Sequence, residues 1–432
     1  MTVPEVSSDR FSQAVTRILR VLLFAGIALT PVFVNPQGRD LFRTPKTTLF
    51  QTFILAAGAL AAAAALLSDG FAASLARSRR AVILACAGVI WVAIVTMTST
   101  LPAVSHSAPF SIFCHALLFV IAIALLRSGS TPLALGAMFL PAIVNSITLV
   151  LQSLDLWEPF GIAVEGADRF GNVALIGNPN TAGTYLLIPT LAAITATLVF
   201  RKYRIVAGII TVILLAGLFE TQTITVMFGF TAALVAFVAT GSKRIRLLAL
   251  GLVALGAAGV LLYPPTRERL VSLQSPLVRG DFSALTSHRA PAAVSTFDMF
   301  RDRPILGLGP HVFPARYMRY RMAVEERHPE FIIIDRDNFG EAHNDHLQVL
   351  AETGLPGYLL LLLFLALVAS LTLRRPPDAD DRARFVTVFA LPAAAAFAAV
   401  ALGQFPIELT AASVTYTYAA ALCFAWRPDA DR

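Results

Sequence analysis

Long apolar runs alternate along the chain with short polar connections. Runs able to cross a hydrocarbon core of roughly 30 Å lie at 18–34, 46–67, 80–98, 110–126, 133–154, 182–200, 205–219, 224–240, 245–263, 355–373, 384–401 and 409–426. The pattern predicts an all-α polytopic membrane protein of about twelve transmembrane helices. Only "ETQT" separates the seventh run from the eighth. Two connections break the rhythm, 155–181 and 264–354, and long ordered segments of this kind usually carry function. The expected organisation is therefore 1–263 with helices one to nine and an outer segment at 155–181, then a loop region at 264–354 carrying the active site. Residues 355–432 hold the last three helices and a tail.

Composition agrees with this reading. The 432 residues are 56% hydrophobic and only 14% charged, and the mean hydropathy is +0.71, which excludes an ordinary soluble domain. A net charge of +7 would suggest a nucleic-acid partner were it spread over a surface. It is not: the cations gather on alternate connections. With Arg10, Arg17 and Arg20 cytoplasmic, the same side receives Arg77, Arg79 and Arg80, then Arg127, then Arg201, Lys202 and Arg204. Lys243, Arg244 and Arg246 follow, then Arg374, Arg375, Arg382 and Arg384. This is the positive-inside pattern. It predicts a bacterial inner (cytoplasmic) membrane protein, multi-pass, with both termini cytoplasmic and 264–354 periplasmic. Arg39, Arg43 and Lys46, on the first outer connection, break the rule; they are either a topological compromise or cations kept for an anionic ligand. Cys86, Cys114 and Cys423 all fall inside apolar runs, so no disulfide framework is expected outside them. The first run follows a basic segment like that of a signal peptide but lacks a small-residue cleavage site, and it is expected to be retained.

The large loop holds His288, His311, His328, His343 and His346, five of the seven histidines. It is also polarised, with nine Arg and four acids over 264–321 and two Arg and eight acids over 322–354. The runs themselves are almost free of charge, with His115 and Asn145 as their most polar interior residues and Glu220 at one end. Transporters generally place ionisable groups or broken helices near mid-membrane, so chemistry at the outer boundary fits better than transport.

"EAHNDHLQVLAETGLPG" (341–357) concentrates that chemistry at the lip of a run. Leu347, Leu350 and Ala351 recur at helical spacing, Asn344 suits an N-cap, and Gly354 with Pro356 gives a stop. A short amphipathic helix is expected there, with His343 just ahead of its N-terminus, where unpaired N–H groups favour anions and disfavour an imidazolium. A neutral imidazole is what a general base requires; the alternative is that His343 merely ties loop to helix. Arginine grips phosphate oxygens bidentately, which singles out Arg289, before an expected helix, and Arg169 in the other outer segment. In "RDRPILGLGP" (301–310), Pro304 ends a helix and Gly307 and Gly309 permit close backbone approach. The aspartates of "DRD" (335–337) are read as solvated rather than as a metal pair, and nothing in the spacing of His343 and His346 requires zinc.

Three segments together resemble a known family. "HNDHLQVLAETGLPG" (343–357), preceded by "FRDRPILGLGPHVF" (300–313), is similar to the shared motif of the O-antigen ligase and O-antigen polymerase superfamily. "RFGNVALIGNPNTAGTYL" (169–186) resembles its upstream Gly-Asn-Pro-Asn element. The resemblance implies a GT-C-type membrane glycosyltransferase with a large periplasmic loop containing short helices. Such an enzyme moves a preassembled glycan from undecaprenyl diphosphate, in ligases to lipid A-core, with inversion and with no metal, cofactor or nucleotide sugar. By the same resemblance His343 accepts the acceptor hydroxyl's proton or orients that hydroxyl, and Arg289 holds the diphosphate. It also assigns substrate binding to Arg169, Asn178, Asn180, Asn344, Arg43 and Lys46. One departure matters. The family usually has a Ser-Arg pair where this chain reads "ETQTITVMFGF" (220–230), with Ile224 at the expected Arg, and Glu341 stands where a further His is frequent. Arg169, Arg43 and Lys46 are the candidates to replace the lost cation. An O-antigen ligase is the expected function, with a polymerase, a protein-glycosylating member or a flippase or exporter of lipid-linked glycan as alternatives.

Overall fold

A computed structural model describes residues 6–67, 78–158, 171–262, 289–332, 339–374 and 379–427, with short pieces between 267 and 280. Fourteen helices concern the site: α1 Val6–Leu29, α2 Arg43–Leu67, α3 Arg79–Met97, α4 Ala108–Leu126, α5 Thr131–Ser153, α6 Pro179–Val199 and α7 Arg204–Glu220. They continue as α8 Ile224–Thr240, α9 Lys243–Leu262, α10 Ala290–Asp302, α11 Phe313–Arg327, α12 Asp345–Ser370, α13 Asp381–Val400 and α14 Thr410–Ala425. No strand occurs among the described residues.

A helix coincides with every one of the twelve apolar runs. Among the described residues, eight helices are long and apolar enough to cross a membrane by those measures. The molecule is a polytopic membrane protein. Helix is the economical solution because lipid offers no partner for backbone polar groups, which must be satisfied within the segment. Threonines inside the bundle follow the same rule: on α6, Thr184, Thr190 and Thr195 return their hydroxyls to the carbonyls of Asn180, Leu186 and Leu191 at 2.7–2.8 Å.

α6 is the buried centre, packed between α7 and α13. α4 lies against α14, α8 against α13, and α12 against α3 and α13. At the end of the bundle away from the large loop, Arg382 fastens the α4–α5 connection. Its Nε donates to Thr131 Oγ1 at 2.8 Å and its Nη1 to the Arg127 carbonyl at 3.1 Å. Nη2 reaches the Gly129 carbonyl as well. These acceptors include the carbonyl of the α4 C-cap residue Arg127, where a cation belongs.

The loop helices α10 and α11 pack on one another, and α10 packs on α12. The stop expected at Gly354 is a kink within α12, where the backbone turns to φ 70°, ψ 180°. Residues 345–353 thus form an amphipathic piece distinct from the span that follows. Two hydrogen bonds strap that piece to the "ILGLGP" turn, Leu308 N–H to the Ala351 carbonyl at 2.9 Å and Leu355 N–H to the Pro304 carbonyl at 2.8 Å. The Glu352 carboxylate adds two more, accepting from the N–H groups of His311 (2.9 Å) and Phe313 (3.0 Å). Contact this close leaves no room for side chains: a Cβ at Gly354 would lie 2.0 Å from the Ile305 carbonyl oxygen.

Gly354→Ala combines that overlap with a left-handed φ and should cost upwards of about 2 kcal/mol. The detergent-solubilised protein should show it as a clear fall in thermal midpoint. Gly136→Ala, where an added Cβ meets nothing within 4 Å, should leave the midpoint unchanged or slightly raised.

Candidate functional site

The site begins at a single backbone reversal. His343 has φ 52°, a left-handed conformation that costs a non-glycine residue about 1–2 kcal/mol and must be imposed by its neighbours. On one side the Ala342 N–H donates to Gln348 Oε1 at 2.9 Å. On the other, Asn344 caps α12 by accepting from Leu347 N–H at 3.0 Å, and its Nδ2 donates to the Leu402 carbonyl at 3.2 Å. The Asp345 N–H donates to the Ala401 carbonyl at 3.0 Å, and its buried carboxylate accepts from Ile407 N–H at 2.8 Å. The turn is therefore locked to the connection between α13 and α14.

That connection collects other helix beginnings. Arg289, the residue before α10, donates from Nη1 to the Gly403 carbonyl at 2.9 Å. Gln404 Nε2 donates to Thr225 Oγ1, in the first turn of α8, at 3.1 Å. Arg43, at the start of α2, reaches the Glu408 carbonyl at 3.4 Å and the Glu408 carboxylate at 3.8 Å, and forms an ion pair with Glu341. Residues far apart in sequence thus meet on one strap of chain.

A cavity of about 310 Å³ lies beside it, with His343, Glu341, Arg43, Lys46, Asn178 and Asn180 among its walls. First-turn residues of α2, α6 and α14 also line it. Helix N-termini present partial positive charge, and two of the three already carry an internal cap. The Asp40 carboxylate accepts from the N–H groups of Phe42, Arg43 and Thr44 at 2.7–3.0 Å. Burial acts to raise its pKa, but these donors hold it well below the usual carboxylate range. Asn178 caps α6 by accepting from Asn180 N–H at 2.8 Å. α14 begins at Leu409, which supplies no side-chain cap.

Within this setting the His343 imidazole is uncharged. Burial, and then the positive charge of Arg289, bring its pKa from 6.5 down to about 4. Phe339 and Phe405 stand edge-on to the ring at centroid distances of 5.3 and 4.9 Å, and Nδ1 is buried without a hydrogen-bond partner. An imidazolium would have to leave that N–H unpaired, which adds to the penalty.

The other sequence candidates divide. Lys46 is on the cavity wall, yet only 3% of it is exposed. Its Nζ donates to the Phe33 and Leu175 carbonyls at 2.8 and 2.7 Å. Asn344 lies next to the cavity, with its side chain committed to capping and to Leu402. Arg169 and the 335–337 aspartates fall outside the described residues. His346 bridges the Ala398 carbonyl at 2.9 Å and the Tyr358 hydroxyl at 3.2 Å, a structural position. Ile224 opens α8 between Thr223, whose hydroxyl donates to Asn180 Oδ1 at 3.1 Å, and Thr225, so the first turn of α8 abuts the same cavity. Gln404, Glu408 and Asp345 carry no local signature in the sequence that would have placed them at the site. Among the described residues no three His, Cys, Asp or Glu side chains gather as a metal site would need.

A second cavity, about 380 Å³ and mostly apolar, runs between α3, α4, α12 and α14. Trp91, Phe364 and Phe397 line it, and Asp345, Glu352 and Glu408 stand on its wall.

With this geometry in view, residues 209–362 match the family model described as O-antigen ligase. The matched segment runs from α7 through the His343 turn into α12. The match covers about a third of the chain and supports membership of the superfamily of O-antigen ligases and polymerases. No curated protein matches it. Of the two positions that depart from the family pattern, Glu341 is on the cavity wall, and Ile224 lies between Thr223 and Thr225, which bond to the wall residues Asn180 and Gln404.

His343 should remain neutral in the folded protein down to about pH 5 and titrate near 4, followed by NMR of imidazole-labelled protein. Because the unfolded imidazole takes up its proton near 6.5, the native state loses this share of its stability as pH falls from that value through 4. Arg289→Gln, which removes the second of the two causes, should move the titration upward.

Proposed function

We propose that the chain is a membrane glycosyltransferase of the GT-C type that moves a preassembled glycan from undecaprenyl diphosphate to a sugar of lipid A-core. In this reading all twelve apolar helices cross the bacterial inner membrane, both termini are cytoplasmic, and the His343 cavity opens at the periplasmic face. The observation that carries the proposal is the neutral, partly unpartnered imidazole of His343 on the wall of a cavity shared with Arg43 and several helix beginnings. A base and an anion site adjoin there, as displacement at an anomeric carbon with a diphosphate leaving group requires. The family membership supports the same reaction class.

The chemistry follows from the atoms. An acceptor hydroxyl held against His343 gives up its proton to the imidazole as its oxygen bonds to the anomeric carbon, opposite the departing group. The bond from that carbon to the diphosphate oxygen breaks, and the electron pair leaves with the lipid diphosphate. Arg289, which already lowers the proton affinity of His343, offsets the charge that develops on that oxygen. His343 later returns the proton to water. Asn178 and Asn180, at the start of α6, and Lys46 and Arg43, on α2, border the space for the diphosphate and first sugar. No metal is needed in this scheme, since the leaving group is activated by its phosphates.

His343→Ala and Arg289→Ala should each reduce transfer at least ~100-fold, the scale of general-base and charge-stabilising groups, while the protein still inserts in the membrane. Transfer is measured as surface glycolipid in a strain carrying the variant alone. Wild-type amounts of long glycan on the core in both variants would exclude the mechanism, and a flippase or exporter would behave in that way. A strain lacking the protein should accumulate long lipid-linked glycan and bare core. A single repeat attached to core would indicate a polymerase instead, and glycan missing from a periplasmic protein would indicate protein glycosylation.

A further inference from the structure

The cations around the cavity are held in different ways. Lys46, on the wall, is fixed by two backbone carbonyls, and Arg289, which is not among the wall residues, donates to a third. Arg43 is different. Its strongest partners are side-chain carboxylates, Glu341 in direct ion pair and Glu408 at 3.8 Å, and its side chain is 49% exposed against 16% and 22% for the two acids. It belongs to a helix start, whereas its partners sit on two loops, 298 and 365 residues away in sequence. The cavity wall carries Arg43 and Lys46 on one side of the balance and Asp40 and Glu341 on the other.

That balance bears on the end of the reaction rather than its start. The inference rests on the transfer reaction proposed above. In a glycosyl diphosphate both phosphates are esterified and the group carries two negative charges. Once the glycan has gone, the terminal phosphate is a monoester with a second ionisation near 6, so the lipid diphosphate left behind is more anionic than the donor. Any cluster of cations good enough to hold the donor holds this product more tightly still. A site without a competitor would be blocked by its own product.

We propose that Glu341, assisted by Glu408, is a built-in competitor for Arg43 that sets the release of the lipid diphosphate product. During turnover the guanidinium exchanges its carboxylate partners for phosphate oxygens, and after transfer the carboxylates reclaim it. Glu341 is thus a positioning residue that acts through Arg43 and need not touch the reacting carbon. Its place two residues before His343 keeps the competitor next to the base on one rigid turn.

The test uses the purified full chain in lipid nanodiscs, with undecaprenyl diphosphate and, separately, inorganic pyrophosphate as inhibitors of transfer. E341Q preserves shape and removes one charge. It should lower the inhibition constant of undecaprenyl diphosphate on the order of tenfold and that of pyrophosphate in the same direction. The donor KM should fall by less, and steady-state kcat should fall while the first turnover keeps its rate, which appears as a burst. In the R43Q background, adding E341Q should bring no such tightening. E408Q should repeat the pattern more weakly, and it serves if E341Q does not fold. An unchanged inhibition constant in E341Q, or equal tightening with and without Arg43, overturns the inference while leaving the transferase reading intact. A wild-type chain that neither transfers glycan nor binds the lipid diphosphate overturns both.

Discussion

The site depends on one buried hydrogen bond, from the Ile407 N–H to the Asp345 carboxylate. A carboxylate taken out of water needs partners, and Asp345 finds its backbone donor on the connection between α13 and α14. That contact, with the Asp345 N–H on the Ala401 carbonyl, joins the start of α12 to a strap of chain that also receives Arg289 and Arg43 and reaches α8 through Gln404. Each of these contacts is modest. Their common anchorage lets the His343 turn hold a backbone conformation that a histidine would not choose alone. Loss of the strap would relax the turn and scatter the cations together.

Electrostatics at the site is a matter of subtraction. Helix beginnings from α2, α6 and α14 supply partial positive charge, and Asp40 and Asn178 consume much of it by capping. Lys46 is spent on carbonyls, and Arg43 is shared with Glu341 and Glu408. What survives is a cavity whose charged groups are already paired or capped, in which an uncharged imidazole is stable. A surplus of fixed cations would bind phosphate more strongly but would also make departure slow; the paired arrangement suits turnover better than tight binding.

Much of this architecture was legible in the sequence. Apolar runs located the helices because a membrane demands uninterrupted helix, and Asn344, Gly354 and the Gly307–Gly309 turn announced themselves through capping and backbone freedom, which are local properties. The neutrality of His343 agrees in direction with its place ahead of a helix, but its causes, burial and Arg289, are long-range and were not readable there. Long-range pairings were not legible. Nothing local ties Arg43 to Glu341 across 298 residues, or indicates that Lys46 would be tethered to Phe33 and Leu175. Both were marked only as cations on an unexpected side, and the structure separates a guanidinium paired with side-chain carboxylates from an amine tied to backbone carbonyls. The left-handed turn at His343 was likewise hidden, because its cause lies in residues 401–407.

The kink at Gly354 has a consequence for how the protein lives in a bilayer. The amphipathic piece of α12 is strapped to the 304–313 turn, while the apolar stretch beyond the kink packs on α3 and α13. Rotation or tilt of that stretch, as lipid thickness varies, meets the joint at Gly354, which is anchored to the 304–313 turn, before it reaches the imidazole. The exposed positions of that stretch, such as Leu359 and Leu363, can therefore vary to suit the host membrane while the reactive turn keeps its aim.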